Sequence, residues 1–379
     1  MLISIHQYMA RKFIYIGSIP LILVGIWFAM TTFSGVSQPP PDLPRNIPTI
    51  DSQKIVIMGV GDIMLGSNYP SVHLLPPKDG VELLKEATPL LQTADIAFGN
   101  LEGVLMTGKG VPKHCQDEKH CYVFKSPDHY VHHLSAAGID VLSIANNHTG
   151  DFGQKGREHT VEVLKKEGLF FAGHIEYPYS LFERKGVRYG FCAFAPNQGT
   201  MSVNDTDRAI ELISRLKDSC DILIVSMHIG AEGTKYNHVT RKQEIFLGEN
   251  RGDPYHFARL VIDAGADIVF GHGPHVVRAV DLYKGRFIAY SLGNFATYGT
   301  INVSGINGYA PLVAVETNRD GKFLGGRIYS FLQEKGSGPQ QDSLHRAALE
   351  IKRLTAIDLP ESELAIDSLG KMKRKSSKK

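Results

Sequence analysis

An imbalance of charge is missing from this sequence. Its 41 Lys and Arg residues face 39 Asp and Glu across 379 positions, a formal net charge of +2 at pH 7. Near-neutrality removes the long-range field that would draw a polyanion such as DNA, so no nucleic-acid partner is expected and any site has to be argued locally. No Gly-x-x-x-x-Gly-Lys loop is present to cradle phosphates, and neither a serine elbow nor a Cys-His pair offers a nucleophile. No segment repeats at a fixed period. Cysteine is scarce at four residues. Apolar material is ample, enough for one large domain or two small ones.

Long hydrophobic runs are almost absent as well, and the exception is informative. Phe13 to Phe33 has no charged side chain and follows the basic pair Arg11 and Lys12. About twenty-one residues at about 1.5 Å rise span roughly 32 Å, close to the thickness of a bilayer core. The preceding positive charges place residues 1–12 in the cytoplasm and the rest of the chain outside it. A cleaved export signal is the competing reading; the length of the apolar run and the lack of an Ala-x-Ala-like site after it favour an uncleaved anchor at 13–33. Residues 34–51 include Pro39, Pro40, Pro41, Pro44 and Pro48, a stiff linker that cannot become a helix. The expected location is therefore the cell membrane, single-pass, with the main domain extracytoplasmic.

In an oxidising compartment Cys115 and Cys121, which bracket a short polar loop, can pair into a local disulfide. A metal site from His114, Cys115, His120 and Cys121 is the alternative, and it needs more coincidences. Cys192 and Cys220 sit in or beside apolar runs and read as buried free thiols.

From residue 52 to 335, short β-branched runs alternate with helical segments. Lys54 to Val60 reads as a strand stopping at Gly61; Ala94–Phe98, Val141–Ile144, Tyr189–Phe194, Ile222–Met227 and Ile268–Phe270 repeat the theme. Pro127–Ala137, Gly156–Glu167, Asp205–Lys217 and Tyr255–Ala264 read as helices. The fold class is α/β. Such an order implies a largely parallel sheet buried on both faces, with ligands gathering beyond the carboxyl ends of its strands. Residues 336–379 read as a C-terminal helix followed by a basic, solvated tail from Lys371.

Polar residues fall at those strand ends. Asp62 follows the first strand, Asn100 and Glu102 the second, and Asn146, Asn147 and His148 the next; His228 follows another, and His272 and His275 a fifth. One such residue is usually a cap or a satisfied structural side chain. Five in the same topological position are different, because the ends of parallel strands converge in space. Carboxylates, an amide oxygen and imidazoles together suit one or two borderline divalent cations, manganese, zinc or iron, and the reaction class is metal-assisted hydrolysis. Glu232, Ser291 and Asn294 are candidates for substrate or supporting contacts, as are Asn100 and Asn146. A loop carboxylate explains Glu232 equally well, and a closing turn Ser291 and Asn294.

Six ordered motifs carry a resemblance: Gly-Asp-Ile-Met-Leu-Gly, Gly-Asn-Leu-Glu, Ala-Asn-Asn-His-Thr-Gly-Asp-Phe-Gly, Met-His-Ile-Gly-Ala-Glu, Gly-Ala-Asp-Ile-Val-Phe-Gly-His-Gly-Pro-His-Val and Tyr-Ser-Leu-Gly-Asn-Phe. Over about residues 54 to 300 the chain resembles the CapA (PgsA-type) family of poly-γ-glutamate capsule synthesis proteins. The resemblance implies a membrane-anchored protein working with a polymer ligase and its membrane partner on an anionic polymer. It also implies a metallophosphoesterase-like fold, a two-layer β-sandwich flanked by helices. By that more distant likeness Asp62, Glu102, Asn147, His228, His272 and His275 would be metal ligands, and His148 a transition-state or leaving-group histidine acting with Asp62. Two departures stand out. Met64 occupies a place where those enzymes carry a histidine, and the closing pair is His-x-x-His rather than His-x-His. Two alternatives stay open: a phosphodiesterase or other hydrolase of the cell envelope, motivated by the strand-end ligands themselves, and a non-catalytic scaffold, supported by Met64.

Overall fold

A computed structural model describes residues 54–114 and 121–376. The expected cytoplasmic tail, spanning segment and Pro-rich linker lie outside the described residues, as do Cys115 and His120. Among the described residues no helix is long and apolar enough to cross a membrane.

The single sheet expected from the α/β pattern is in fact two, lying face to face. The larger has ten strands, its main path running Leu364–Ile366, Lys371–Arg374, Phe323–Leu332, Tyr309–Thr317, Ile55–Met64, Ile96–Leu101, Val141–Ser143 and Phe170–Ala172. The smaller runs Val280–Tyr283, Arg286–Ala289, Ile268–His272, Ile222–His228, Val187–Phe194 and Tyr179–Arg184. Each has a parallel centre with antiparallel additions. Ile55, Ile57 and Phe98 of one sheet share a core with Phe191, Ile224 and Phe270 of the other, and the rings of Phe98 and Phe270 stack at 5.2 Å.

The outer faces are covered by helices. Met58, Val60 and Leu142 pack against Leu134, Val161 and Leu164 on one side, while Leu223 and Val225 meet Leu212, Ile213 and Val261 on the other. Helix Thr206–Lys217 is capped by Asp205, which accepts from the Arg208 amide; Pro254–Asp263 is capped by Asp253, accepting from His256. Both sheets are thus covered on two faces. This is why their strands read as continuous apolar runs and why the pattern could not distinguish one sheet from two.

Two further expectations change. The first strand does not stop at Gly61 but runs to Met64. Up to Val60 it pairs with Leu312 on the antiparallel neighbour; at Asp62 it pairs with Asn294 of the strand Asn294–Thr297. Gly61 stands at that exchange of partners, where a Cβ would lie 2.1 Å from the Gly293 carbonyl oxygen. A glycine that reads as a stop is instead a point of close backbone approach. The basic tail is corrected too. Lys371–Arg374 is a strand on the large sheet, its Met372 buried in the core between outward-facing lysines. Helix Arg346–Asp358 contributes Ala348 and Ile351 to the same core, so this C-terminal segment is integral to the sandwich.

Candidate metal centre

Strand register gathers the polar residues. Asp62 pairs with both Asn100 and Asn294 in the large sheet, and His228 lies opposite His272 in the small one. Across the gap between sheets, His272 Nδ1 is 3.0 Å from Asp62 Oδ1, and His275 Nδ1 is 3.0 Å from Asp62 Oδ2. Ligand atoms of Asp62, Glu102 and His228 lie within 4.8 Å of one another, and all three residues are buried.

Amides brace the carboxylates. The Asn100 Nδ2 group donates to Asp62 Oδ1 at 2.8 Å and to Glu102 Oε2 at 2.6 Å. Asn146 in turn donates to Asn100 Oδ1 and to the Leu101 carbonyl, and accepts from the His148 amide. Ser291 donates to the Val276 carbonyl and accepts from the Gly293 amide, closing the turn that brings Asn294 to the site. Asn294 donates to the carbonyls of His275, Asn302 and Asn307. Asn294 thus meets His275 at its carbonyl and, through Oδ1, at its Nδ1, and His275 stands at φ 56°, a left-handed conformation uncommon for a residue with a Cβ.

His148 and Asn147 are placed differently. His148 Nδ1 lies 2.8 Å from Asp151 Oδ2, and its Nε2 is 3.9 Å from Glu102 Oε1. The Asn147 Nδ2 group reaches Glu232 Oε1 at 3.4 Å, and Glu232 pairs with Arg251 at 2.8 Å. Asp151, Arg251 and Phe124, whose ring lies 4.2 Å from that of His148, were not singled out by sequence reasoning. Asp151 alone left a signal, three residues after His148 in a motif already noticed. Cys121 is disulfide-bonded, its expected partner Cys115 lying outside the described residues, and Cys192 and Cys220 are buried free thiols.

The residues present fit a cation. Both ring nitrogens of His228, His272 Nε2, Glu102 Oε1 and Asn147 Oδ1 are buried without a hydrogen-bond partner. Each such orphan costs about 1–3 kcal/mol unless something occupies it. Titration follows the same logic. Burial alone would raise Asp62, but hydrogen bonds and charge from His272 and His275 outweigh it and hold the carboxyl well below the usual carboxylate range. Burial, with Asp62 beside it, pushes Glu102 well above its ordinary value. Burial also disfavours the charged form of His228, holding it well below a free imidazole. His275 is disfavoured as a cation by burial, yet Asp62, Glu102 and Glu232 push it up to about 10. One carboxyl is favoured as the anion, burial disfavours the charge on its neighbour, and an imidazole disfavoured as a cation faces both: a donor set suited to a borderline divalent ion.

The bacterial capsule synthesis protein PGA_cap family model matches residues 56–298. The chain belongs to this family. Its relatives include the capsule biosynthesis protein CapA of Bacillus anthracis, 30% identical over 65% of this chain and 60% of that protein. The PGA biosynthesis protein CapA of Bacillus subtilis is 29% identical over 75% of this chain and 72% of that one. The chain thus spans about three-fifths of the length of the first relative. Among solved structures, a 5'-nucleotidase precursor from Thermus thermophilus superposes at TM-score 0.40 and 10% identity, covering 83% of this chain and 61% of that one. So loose a superposition carries no argument about this chain. All the strand-end residues, from Asp62 to Asn294, fall inside the PGA_cap match.

Proposed function

We propose that this PGA_cap protein serves the synthesis or export of an anionic capsule polymer of the poly-γ-glutamate type, at the cell envelope, through a divalent-metal hydrolytic centre at Asp62, Glu102 and His228. The observation carrying this reading is the buried, orphaned donor set: two carboxyl groups and an imidazole whose ligand atoms lie within 4.8 Å of each other. His272 and His275 stand at its edge, on the two oxygens of Asp62. Manganese, zinc or iron bound there would supply Lewis acidity toward a phosphoryl or carbonyl oxygen.

The chain's own groups do the rest. Asn100 fixes the carboxylates relative to one another, and His272 orients Asp62 from the opposite sheet. Asp151 accepts the Nδ1 proton of His148, which leaves Nε2 directed at the centre to take a proton or, from the charged ring, to give one to a leaving group. In this reading the chain acts beside a polymer ligase and its membrane partner, held to the membrane by residues 13–33. A second reading is a metal-binding scaffold without turnover, favoured by the buried Met64 where the metallophosphoesterase likeness expects an imidazole.

Metal analysis of the purified full chain tests the centre. About one manganese or zinc per chain is expected, lost in His228→Ala; a wild-type chain that retains neither metal sinks the reading. Deleting the gene should abolish surface polymer or change its chain length. Complementation by His148→Ala then separates the readings: failure points to hydrolysis, full rescue to the scaffold.

A further inference from the structure

A cleft of about 250 Å³ opens beside the centre, sharing His148, His275 and Glu232 with it. Its walls include Tyr122, Phe124, Phe246 and Ile301, with neutral polar side chains between them. Phe124 lies against the His148 ring, and Tyr122 stands 6.3 Å from Phe124. Phe246, on the short hairpin Ile245–Asn250, is braced by Tyr236 at 6.0 Å and by the Arg251 guanidinium at 5.5 Å from its ring centre.

The charges around this cleft are what decide its ligand. Among the described residues no lysine or arginine lines it. The nearby cations are committed elsewhere: Arg251 to Glu232 and Glu249, Lys113 to Asp151. Glu232 is the acid on the wall. A chain bearing a carboxylate on every unit would meet the Glu232 carboxylate on this wall. An uncharged planar group would instead find aromatic faces. Drug-sized sites occupy about 300–1,000 Å³, so this smaller space suits a single ring system rather than a polymer segment.

We infer that the cleft is a subsite for an uncharged planar ring carried on an oxyanionic ligand, with the oxyanion at the Asp62–Glu102–His228 centre and the ring between Phe246 and the Tyr122–Phe124 wall. The inference rests on the proposed metal centre for the anion and on the cleft alone for the ring. It names what the cleft adds to the centre: a hold on a neutral aromatic substituent carried by the anion.

Calorimetric titration of the manganese-treated full chain with phenylphosphonate, ethylphosphonate and a short γ-glutamyl oligomer tests this. Phenylphosphonate is expected to bind roughly tenfold more tightly than ethylphosphonate. The preference should vanish in Phe246→Ala and return in Phe246→Tyr, which keeps the ring. Equal affinities in the wild type, a preference untouched by Phe246→Ala, or a γ-glutamyl oligomer that displaces phenylphosphonate at lower concentration would each overturn it. Metal content measured on the same samples keeps the two ideas apart. A metal-free chain that still prefers the phenyl ligand removes the metal centre and leaves the cleft; a metal-loaded chain with no preference removes the cleft alone.

Discussion

The two halves of the site are built on different plans. The large sheet supplies Asp62, Asn100, Glu102, Asn146 and His148, joined to one another or to Asp151 by hydrogen bonds, so that this half is largely organised before anything binds, with Glu102 Oε1 left open. The small sheet supplies His228 and His272, whose orphaned nitrogens leave that half incomplete. A polar network in a low-dielectric interior is stabilising when fully satisfied and costly when it is not. The difference is one of degree: both His228 nitrogens lack a partner, whereas on the other half the Asn100 amide braces Asp62 and Glu102 and leaves Glu102 Oε1 open.

The strongest way to break this comparison is to part the halves. Phe98 and Phe270 stack across the sheet interface directly behind the site, and neither is exposed. Phe98→Ala should cost about 3–5 kcal/mol in chemical denaturation. A loss below about 1 kcal/mol would mean that the sheets are held together elsewhere. A finer test sets one residue from each half side by side without metal. Asn100→Ala leaves two buried carboxylates without their shared donor and should destabilise by about 1–3 kcal/mol. His228→Leu removes two unsatisfied nitrogens for a side chain of similar bulk, and the metal-free protein should melt within about 1 kcal/mol of wild type or above it. Equal losses in the two variants would erase the distinction.

Much of the site was legible because each candidate sits at the end of its own strand, and parallel order turns distant positions into neighbours. Asp62, Glu102 and His228 come from three strands and meet within 4.8 Å. The helices were legible from period and caps. What escaped notice was carried by features with no period. Arg251 and Phe246 arrive on a loop and a two-residue strand; no spacing announces that one holds Glu232 and the other walls a cleft. The bracing role of Asn100 was hidden because an amide beside carboxylates reads the same whether it meets a ligand or its neighbours. The C-terminal strand was missed because one inward Met372 among lysines is too short a pattern to outweigh the charge.

The smallest effect concerns a joint between the halves. His174 follows the large-sheet strand Phe170–Ala172 and forms a backbone bridge to Thr200, beyond the small-sheet strand Val187–Phe194. Its Nε2 also meets the Thr149 hydroxyl, next to His148. Burial, with the charge of Arg157, pulls this imidazole down to about 4. The sign follows from that depression: an unfolded histidine near its ordinary value takes up a proton first, so the stabilisation is complete above about pH 6.5 and drains away as the pH falls toward 4. Between pH 7 and about pH 5.5 the loss should be about 1 kcal/mol, and His174→Gln should flatten that part of the profile. An unchanged slope in His174→Gln would show that this joint contributes nothing to the acid sensitivity of the fold.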